Sequence, residues 1–227
     1  MKYLAVSVCS VFCFLFFLSI SSMPVFGQSG RAARGPQSSA KTTAVQPGVK
    51  GLNPDQIIKL RKLSGVGRRG FVKNPEYRTS LGGTVGVDKD WNQITLEYAT
   101  APEWIDDLTF QFYAVSQAPI EGVKTFSFYK AAVRYADVER GSHVCTMFLR
   151  PSAIKRFGEL FAVAVEVSYK GTVVEEMSEE IQKMPLKWWK DPAVVENPNT
   201  VIRDGYLINR AQSPFALISA EGFEFVK

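Results

Sequence analysis

Cysteine and histidine are nearly missing from this chain, and that shortage removes most catalytic and metal chemistries at once. There are 3 cysteines and 1 histidine among 227 residues. Cys9 and Cys13 fall inside an apolar N-terminal run, so only Cys145 would remain after removal of that run. A single cysteine forms no internal disulfide, and the fold must be held by its core. His143 is the lone candidate for histidine-dependent chemistry. It shares a strand face with Cys145, two residues on, but a metal needs further ligands and a Cys–His nucleophile needs a cleft. Also absent are a G-x-S-x-G elbow, a Gly-Lys-Ser phosphate loop and any N-x-S/T acceptor. The paired carboxylates Asp106-Asp107, Glu175-Glu176 and Glu179-Glu180 have no D-x-D-x-D-G pattern around them. Neighbours on a strand point to opposite faces, so Glu175 and Glu176 cannot flank one substrate bond and more naturally guard a sheet edge. No catalytic residue, cofactor or metal is expected, and the chain does not read as an enzyme.

Long apolar runs are confined to the start. Met1 and Lys2 precede an apolar stretch from Tyr3 to Ile20, which Ser19, Ser21, Ser22 and Pro24 break up. Val25-Phe26-Gly27 then supplies a cleavage site before Gln28, and residues 1–27 read as a secretory signal peptide. The expected product is a soluble exported protein of about 200 residues, one domain with extensions.

Charge is split along the chain. Residues 28–78 carry eleven Lys or Arg against Asp55 and Glu76, whereas residues 79–227 carry 15 basic and 20 acidic residues. Such asymmetry fits an arm that meets an anionic membrane or glycan surface, or the acidic body of its own or a neighbouring subunit. The basic stretch lacks interleaved aromatics and the body is acidic, so no nucleic-acid partner is expected.

Residues 28–50 have the composition of a flexible basic linker. Asn53, Pro54 and Asp55 are helix-start signals, and Ile57, Leu60 and Leu63 recur at three-residue spacing opposite Lys59, Arg61 and Lys62. This spacing predicts a short amphipathic helix ending at Ser64-Gly65. Gly65-Val66-Gly67-Arg68-Arg69-Gly70 matches G-x-G-x-x-G literally, but no helix follows to aim N–H groups at phosphate, and the segment reads as a flexible basic hinge within 51–84.

From about Trp91 the period becomes two. Strands are expected around Ile94–Tyr98, Leu108–Ala114, Val123–Val138, Val144–Leu149, Phe161–Tyr169 and Thr172–Met177. A parity slip in the third implies a bulge near Lys130. Arg140-Gly141-Ser142 and Lys170-Gly171 read as turns, the latter setting Val167 opposite Val174. Pro151 to Gly158 reads as one or two helical turns carrying the chain between sheets. Six short strands joined mainly by turns predict an all-β, antiparallel β-sandwich over 85–227, with a C-terminal β extension from about 185. In that extension Pro185–Trp189 reads as irregular, Asp191–Thr200 as a loop, and Tyr206–Asn209 and Phe215–Ser219 as strands. Trp188 and Trp189 are adjacent and are not both expected in one core, so one is a candidate binding-patch residue. With Arg61, Lys62, Arg68 and Arg69 they form the candidate interaction set.

The stretch from Val163 to Val174, with its Lys170-Gly171 turn, resembles an immunoglobulin-like or fibronectin type III-like sandwich. Together with the export signal and the tail Gly205-Tyr206-Leu207-Ile208-Asn209 and Ser213-Pro214-Phe215-Ala216-Leu217-Ile218, the chain resembles immunoglobulin-like proteins encoded among type IV pilus genes in mucin-dwelling bacteria. The resemblance implies a non-enzymatic protein of the bacterial periplasm or cell surface that contributes to pilus assembly or adhesion. Its partners would be pilus or envelope proteins, with homo-oligomers formed by arm or strand exchange. The other reading is a carbohydrate- or ligand-binding accessory module that uses exposed aromatics.

Overall fold

The computed structural model describes residues 57–78, 84–85, 89–118, 125–218 and 225–226. The chain divides into two units, Met1–Gln46 and Pro47–Lys227, and the described residues all belong to the second. The signal peptide, the linker and the helix-start signals Asn53, Pro54 and Asp55 lie outside the described residues.

The strands are β1 (Ile58–Ser64), β2 (Phe71–Lys73), β3 (Tyr77–Arg78), β4 (Thr84–Val85), β5 (Asp90–Ile105), β6 (Leu108–Gln117), β7 (Phe126–Ala136), β8 (Val138–Leu149), β9 (Leu160–Tyr169), β10 (Thr172–Glu180), β11 (Thr200–Ile202), β12 (Leu207–Asn209) and β13 (Phe225–Val226). Two short helices interrupt them, α1 (Pro151–Phe157) and α2 (Pro192–Val195). A five-stranded sheet runs β1-β5-β8-β12 with β2 also on β5, and a six-stranded sheet runs β10-β9-β6-β7-β11 with β13 also on β7. The pairing is antiparallel except for β11 against β7. The two sheets face each other across one core. Ile58, Leu96 and Tyr98 of the first meet Phe110, Phe112, Val163 and Val165 of the second, with the Tyr98 and Phe110 rings 5.0 Å apart. The all-β sandwich read from the sequence is the fold of the protein.

Several local expectations are corrected, each for a physical reason. The amphipathic helix is instead strand β1. Ile58, Leu60 and Leu63 are buried and Lys59, Arg61 and Lys62 are exposed. The register against β5 shifts between Leu60 and Lys62, and this bulge lengthens one apolar spacing from two to three. A bulged strand thus copies the helical signal.

The glycine-rich segment is no hinge. It is a pinched excursion between β1 and β2, both of which lie along β5. Gly65, at φ 144°, has Ile94 Cα only 2.8 Å from where a Cβ would stand, and a Cβ on Gly70 would stand 2.7 Å from the Gly65 carbonyl oxygen. Asn92 Nδ2 donates to the Gly67 carbonyl oxygen at 3.2 Å and fastens the loop. Close backbone approach is what these glycines supply.

No bulge occurs near Lys130, since β6 and β7 pair without a break from Leu108–Tyr135 to Gln117–Phe126. The apparent slip arises because β7 is apolar on both faces: Tyr129, Val133 and Tyr135 enter the main core, while Phe126 and Phe128 join a second cluster outside the sheet. The chain changes sheets between β7 and β8 at Asp137, with φ 53°, and Arg140-Gly141-Ser142 lies inside β8. At the β9–β10 hairpin, Lys170 and Gly171 take φ 50° and 80°, as a two-residue turn requires, but a register shift after Val173 sets Glu175 rather than Val174 opposite Val167. Asp191–Thr200 contains α2, whose start Asp191 caps by accepting from the Ala193 N–H at 2.9 Å. Residues 214–218 form turns rather than a strand.

Candidate functional site

The outer face of the six-stranded sheet is where this molecule departs from a plain sandwich. Period-two alternation sends Tyr113 and Val115 of β6, Phe128 of β7 and Ala162 and Ala164 of β9 outward. A register shift between β6 and β9 next to Ser116 leaves Phe161 unpaired, so Phe161 also turns outward and meets Phe126 at 6.0 Å. Simple alternation would have assigned Phe161 to the inner face with Val163.

This apolar surface is roofed by residues 184–195. Lys187 adopts φ 55°, and the Lys190 N–H returns to the Lys187 carbonyl at 2.8 Å, making a tight turn that drives Trp188 and Trp189 down together. Their rings meet edge-to-face at 5.7 Å. Trp188 also packs on Phe128 at 6.2 Å, and Trp189 stacks on Tyr113 at 6.5 Å. Both indole N–H groups are used: Trp188 donates to Glu180 at 3.2 Å and Trp189 to Glu166 at 3.0 Å.

Glu166 is the polar centre of the roof. It is buried, accepts from Tyr113 Oη at 3.2 Å as well as from Trp189, and forms an ion pair with Lys190. Burial alone pushes its carboxyl up, but the hydrogen bonds from Lys190, Trp189 and Tyr113 and the Lys190 charge together hold it below the ordinary carboxylate value. The same contact acts oppositely on the phenol. Burial first, then the Glu166 charge and hydrogen bond, push Tyr113 up to about 12.

Beside this clasp lies a cleft of about 190 Å³, lined by Val115, Phe126, Phe161, Met184, Val194 and Thr200. Pro185 completes part of that lining, and Leu186, next in the chain, has 91% of its surface exposed. The cleft is mostly apolar, with Gln182, Asn197 and Thr200 as its polar lining, and it carries no titratable side chain there. It can receive an apolar group, and it offers nothing to activate a nucleophile or move a proton.

Trp188 and Trp189, expected to leave at least one ring exposed, are 0% and 6% exposed. The adjacency argument fails because the turn at Lys187 and a buried carboxylate let both rings face one surface. Arg61, Arg68 and Arg69 find partners in the sandwich itself. Arg61 Nη1 donates to Ser142 Oγ at 2.9 Å, Arg68 pairs with Glu159 at 3.3 Å and Arg69 with Glu179 at 3.7 Å. Lys62 is exposed on β1. These four do not gather into one site, nor do they join the tryptophans.

His143 and Cys145 are also kept apart in role. His143 Nε2 lies 2.9 Å from the Glu139 carbonyl oxygen and 3.1 Å from Thr100 Oγ1, and its ring stacks on Tyr98. Cys145 is fully buried, its thiol pushed up to about 12 by burial. Asp107 is held by Arg134, whose Nε donates at 2.6 Å. No group of three His, Cys, Asp or Glu is placed to bind a metal among the described residues. No helix among them is long and apolar enough to cross a membrane.

One exposed aromatic escaped the sequence reading. Trp104, near the end of β5, keeps 53% of its surface exposed and enters none of the ring contacts among the described residues. Its signal was Pro102, since a proline two residues earlier marks a strand that leaves regular pairing.

A family model matches residues 71–225. No curated protein matches the chain. Among solved structures, a crystal structure of a protein from Akkermansia muciniphila is similar, with 24% identity and a TM-score of 0.61 over 75% of this chain and 93% of that one. This likeness shows the shared fold. A beta-D-glucoside glucohydrolase from Trichoderma reesei aligns over 54% of this chain and 18% of its own length, with 9% identity and a TM-score of 0.24.

Proposed function

We propose, from the premise that the chain belongs to the family matched over residues 71–225, that it is a non-enzymatic cell-envelope or surface protein contributing to type IV pilus assembly or adhesion through protein–protein contacts. The observation that carries this reading is the mostly apolar cleft on the roofed face, whose lining residue Pro185 is followed in the chain by the 91% exposed Leu186. An aliphatic side chain so exposed, one residue along the chain from a preformed, mostly apolar recess, is characteristic of a contact surface. The sandwich supplies a rigid mount, because Trp188 and Trp189 anchor the same segment from beneath. The resemblance to immunoglobulin-like proteins of pilus gene clusters is what favours pilus components as the partner in this reading.

The test is co-purification of the tagged protein with pilus components from its own cell envelope, wild type against Leu186→Asp. The reading expects pilus components with the wild type and their loss with Leu186→Asp, at unchanged thermal stability. Equal recovery with both proteins, or none with either, would count against it. Replacing Trp188 or Trp189 is not a usable test of binding, since both rings hold the roof in place.

A further inference from the structure

Three of the four tryptophans are packed, at 9% exposure for Trp91, 0% for Trp188 and 6% for Trp189. The fourth is built outward. Between Thr100 and Trp104 the β5–β8 register shifts, and Ala101-Pro102-Glu103 forms the irregular stretch. The strand then resumes, with Trp104 opposite Glu139 and Ile105 opposite Val138. Ile105 and Val138 are 1% and 0% exposed, so period-two alternation commits Trp104 and Glu139 to the outer side.

The irregular stretch is fastened rather than loose. Arg140 Nε donates to the Ala101 carbonyl oxygen at 2.8 Å, and the Gly141 N–H donates to Thr100 Oγ1 at 3.1 Å. His143 closes the group through its contacts with Thr100 and the Glu139 carbonyl. An exposed indole is thus mounted on a pinned backbone, with the exposed Glu139 directly opposite it on β8.

We propose that this corner is a stacking platform for a pyranose ring of a neutral glycan. The apolar C–H face of a sugar ring lies on an aromatic face, while its hydroxyls need acceptors and donors at the rim. Glu139, directly opposite Trp104, supplies an acceptor. A tryptophan that anchors a protein contact is ringed by groups that exclude water, whereas here the directly opposed residue is an exposed carboxylate. The carboxylate opposite the ring disfavours an anionic sugar.

The inference deepens the surface reading by giving adhesion a ligand class, yet its test uses purified protein and does not depend on pilus components. Calorimetric titration with neutral galacto-, manno- and N-acetylgluco-configured oligosaccharides should show binding by the wild type. Trp104→Ala should weaken it about tenfold, and Trp104→Phe about threefold or less, because an aromatic face is kept. Glu139→Gln should weaken it without abolishing it, and Leu186→Asp should leave it unchanged. All four variants should keep the wild-type melting temperature. If Trp104→Ala does not fold, the contrast between Trp104→Phe and Glu139→Gln still decides. The proposal is overturned if none of the oligosaccharides binds, if Trp104→Ala binds as the wild type does, or if the substitution changes only the solution mass.

Discussion

The two sheets each carry a cover drawn from the last third of the chain, and the covers are held by different means. Over the six-stranded sheet, two indoles are sunk into the surface and their N–H groups end on Glu180 and Glu166. Over the five-stranded sheet, Phe215 stacks on Phe148 at 4.5 Å and meets Trp91 edge-on at 5.9 Å. Its turn is tied mainly to itself, through Ser213 Oγ to the Arg210 carbonyl at 2.7 Å and the Phe215 N–H to Ser213 Oγ at 3.2 Å. It leaves Leu217 82% exposed. The first cover is part of the core, and the second is perched on it. Buried polar anchoring, beyond apolar area, separates them.

The sharpest break in that comparison is Trp188→Ala, which should cost about 3–5 kcal/mol in urea denaturation because a fully buried indole leaves a cavity. Glu166→Ala should follow at about 2–3 kcal/mol, since the Trp189 N–H and the Lys190 ammonium lose their acceptor. Its pH signature has a definite sign. A depressed carboxyl contributes stability above its unfolded-state value and loses it as pH falls through the lower folded-state value, so Glu166→Gln should flatten the acid limb of the stability curve. Phe215→Ala should cost only about 1–2 kcal/mol, as the ring is partly exposed already.

The smallest effect is the most discriminating. Cys145 lies between the sheets, and its raised pKa makes ionisation unfavourable in the fold, so stability declines as pH rises from near 9 toward about 12. At pH 8 a thiol reagent should label it only through opening of the fold. Trp188→Ala should accelerate that labelling far more than Phe215→Ala does. Equal acceleration would mean that the covers are equivalent.

How much of this was legible in the sequence depended on whether period two ran undisturbed. Ile94–Tyr98, Phe110–Ala114 and Val163–Val167 showed their faces plainly, and with them the sandwich. Wherever a bulge intervened the sign inverted: at Arg61 it imitated a helix, and at Phe161 it sent a core-patterned residue to the outer face. Phe126 and Phe128 misled in a different way, because a strand roofed on its outer face has no polar side to mark parity. The candidate site was legible only as an inventory. Trp188 and Trp189 were read as leaving a ring exposed for contact, yet both are buried, and their burial depends on Glu166 and Tyr113, which come from strands 20 and more residues away. No local pattern reports such a partner.

Strand β1 carries a consequence for the timetable of synthesis. It leaves the ribosome before any strand it will pair with, and the amide of Val66 just beyond it ends on the Glu179 carboxylate, 113 residues later. At about 5–20 residues per second, roughly ten seconds pass before that bond can close. Strand β5 can give β1 its place in the sheet well before then, but the Val66 amide waits for the other sheet. The end of the first strand is therefore among the last parts of the sandwich to be capped.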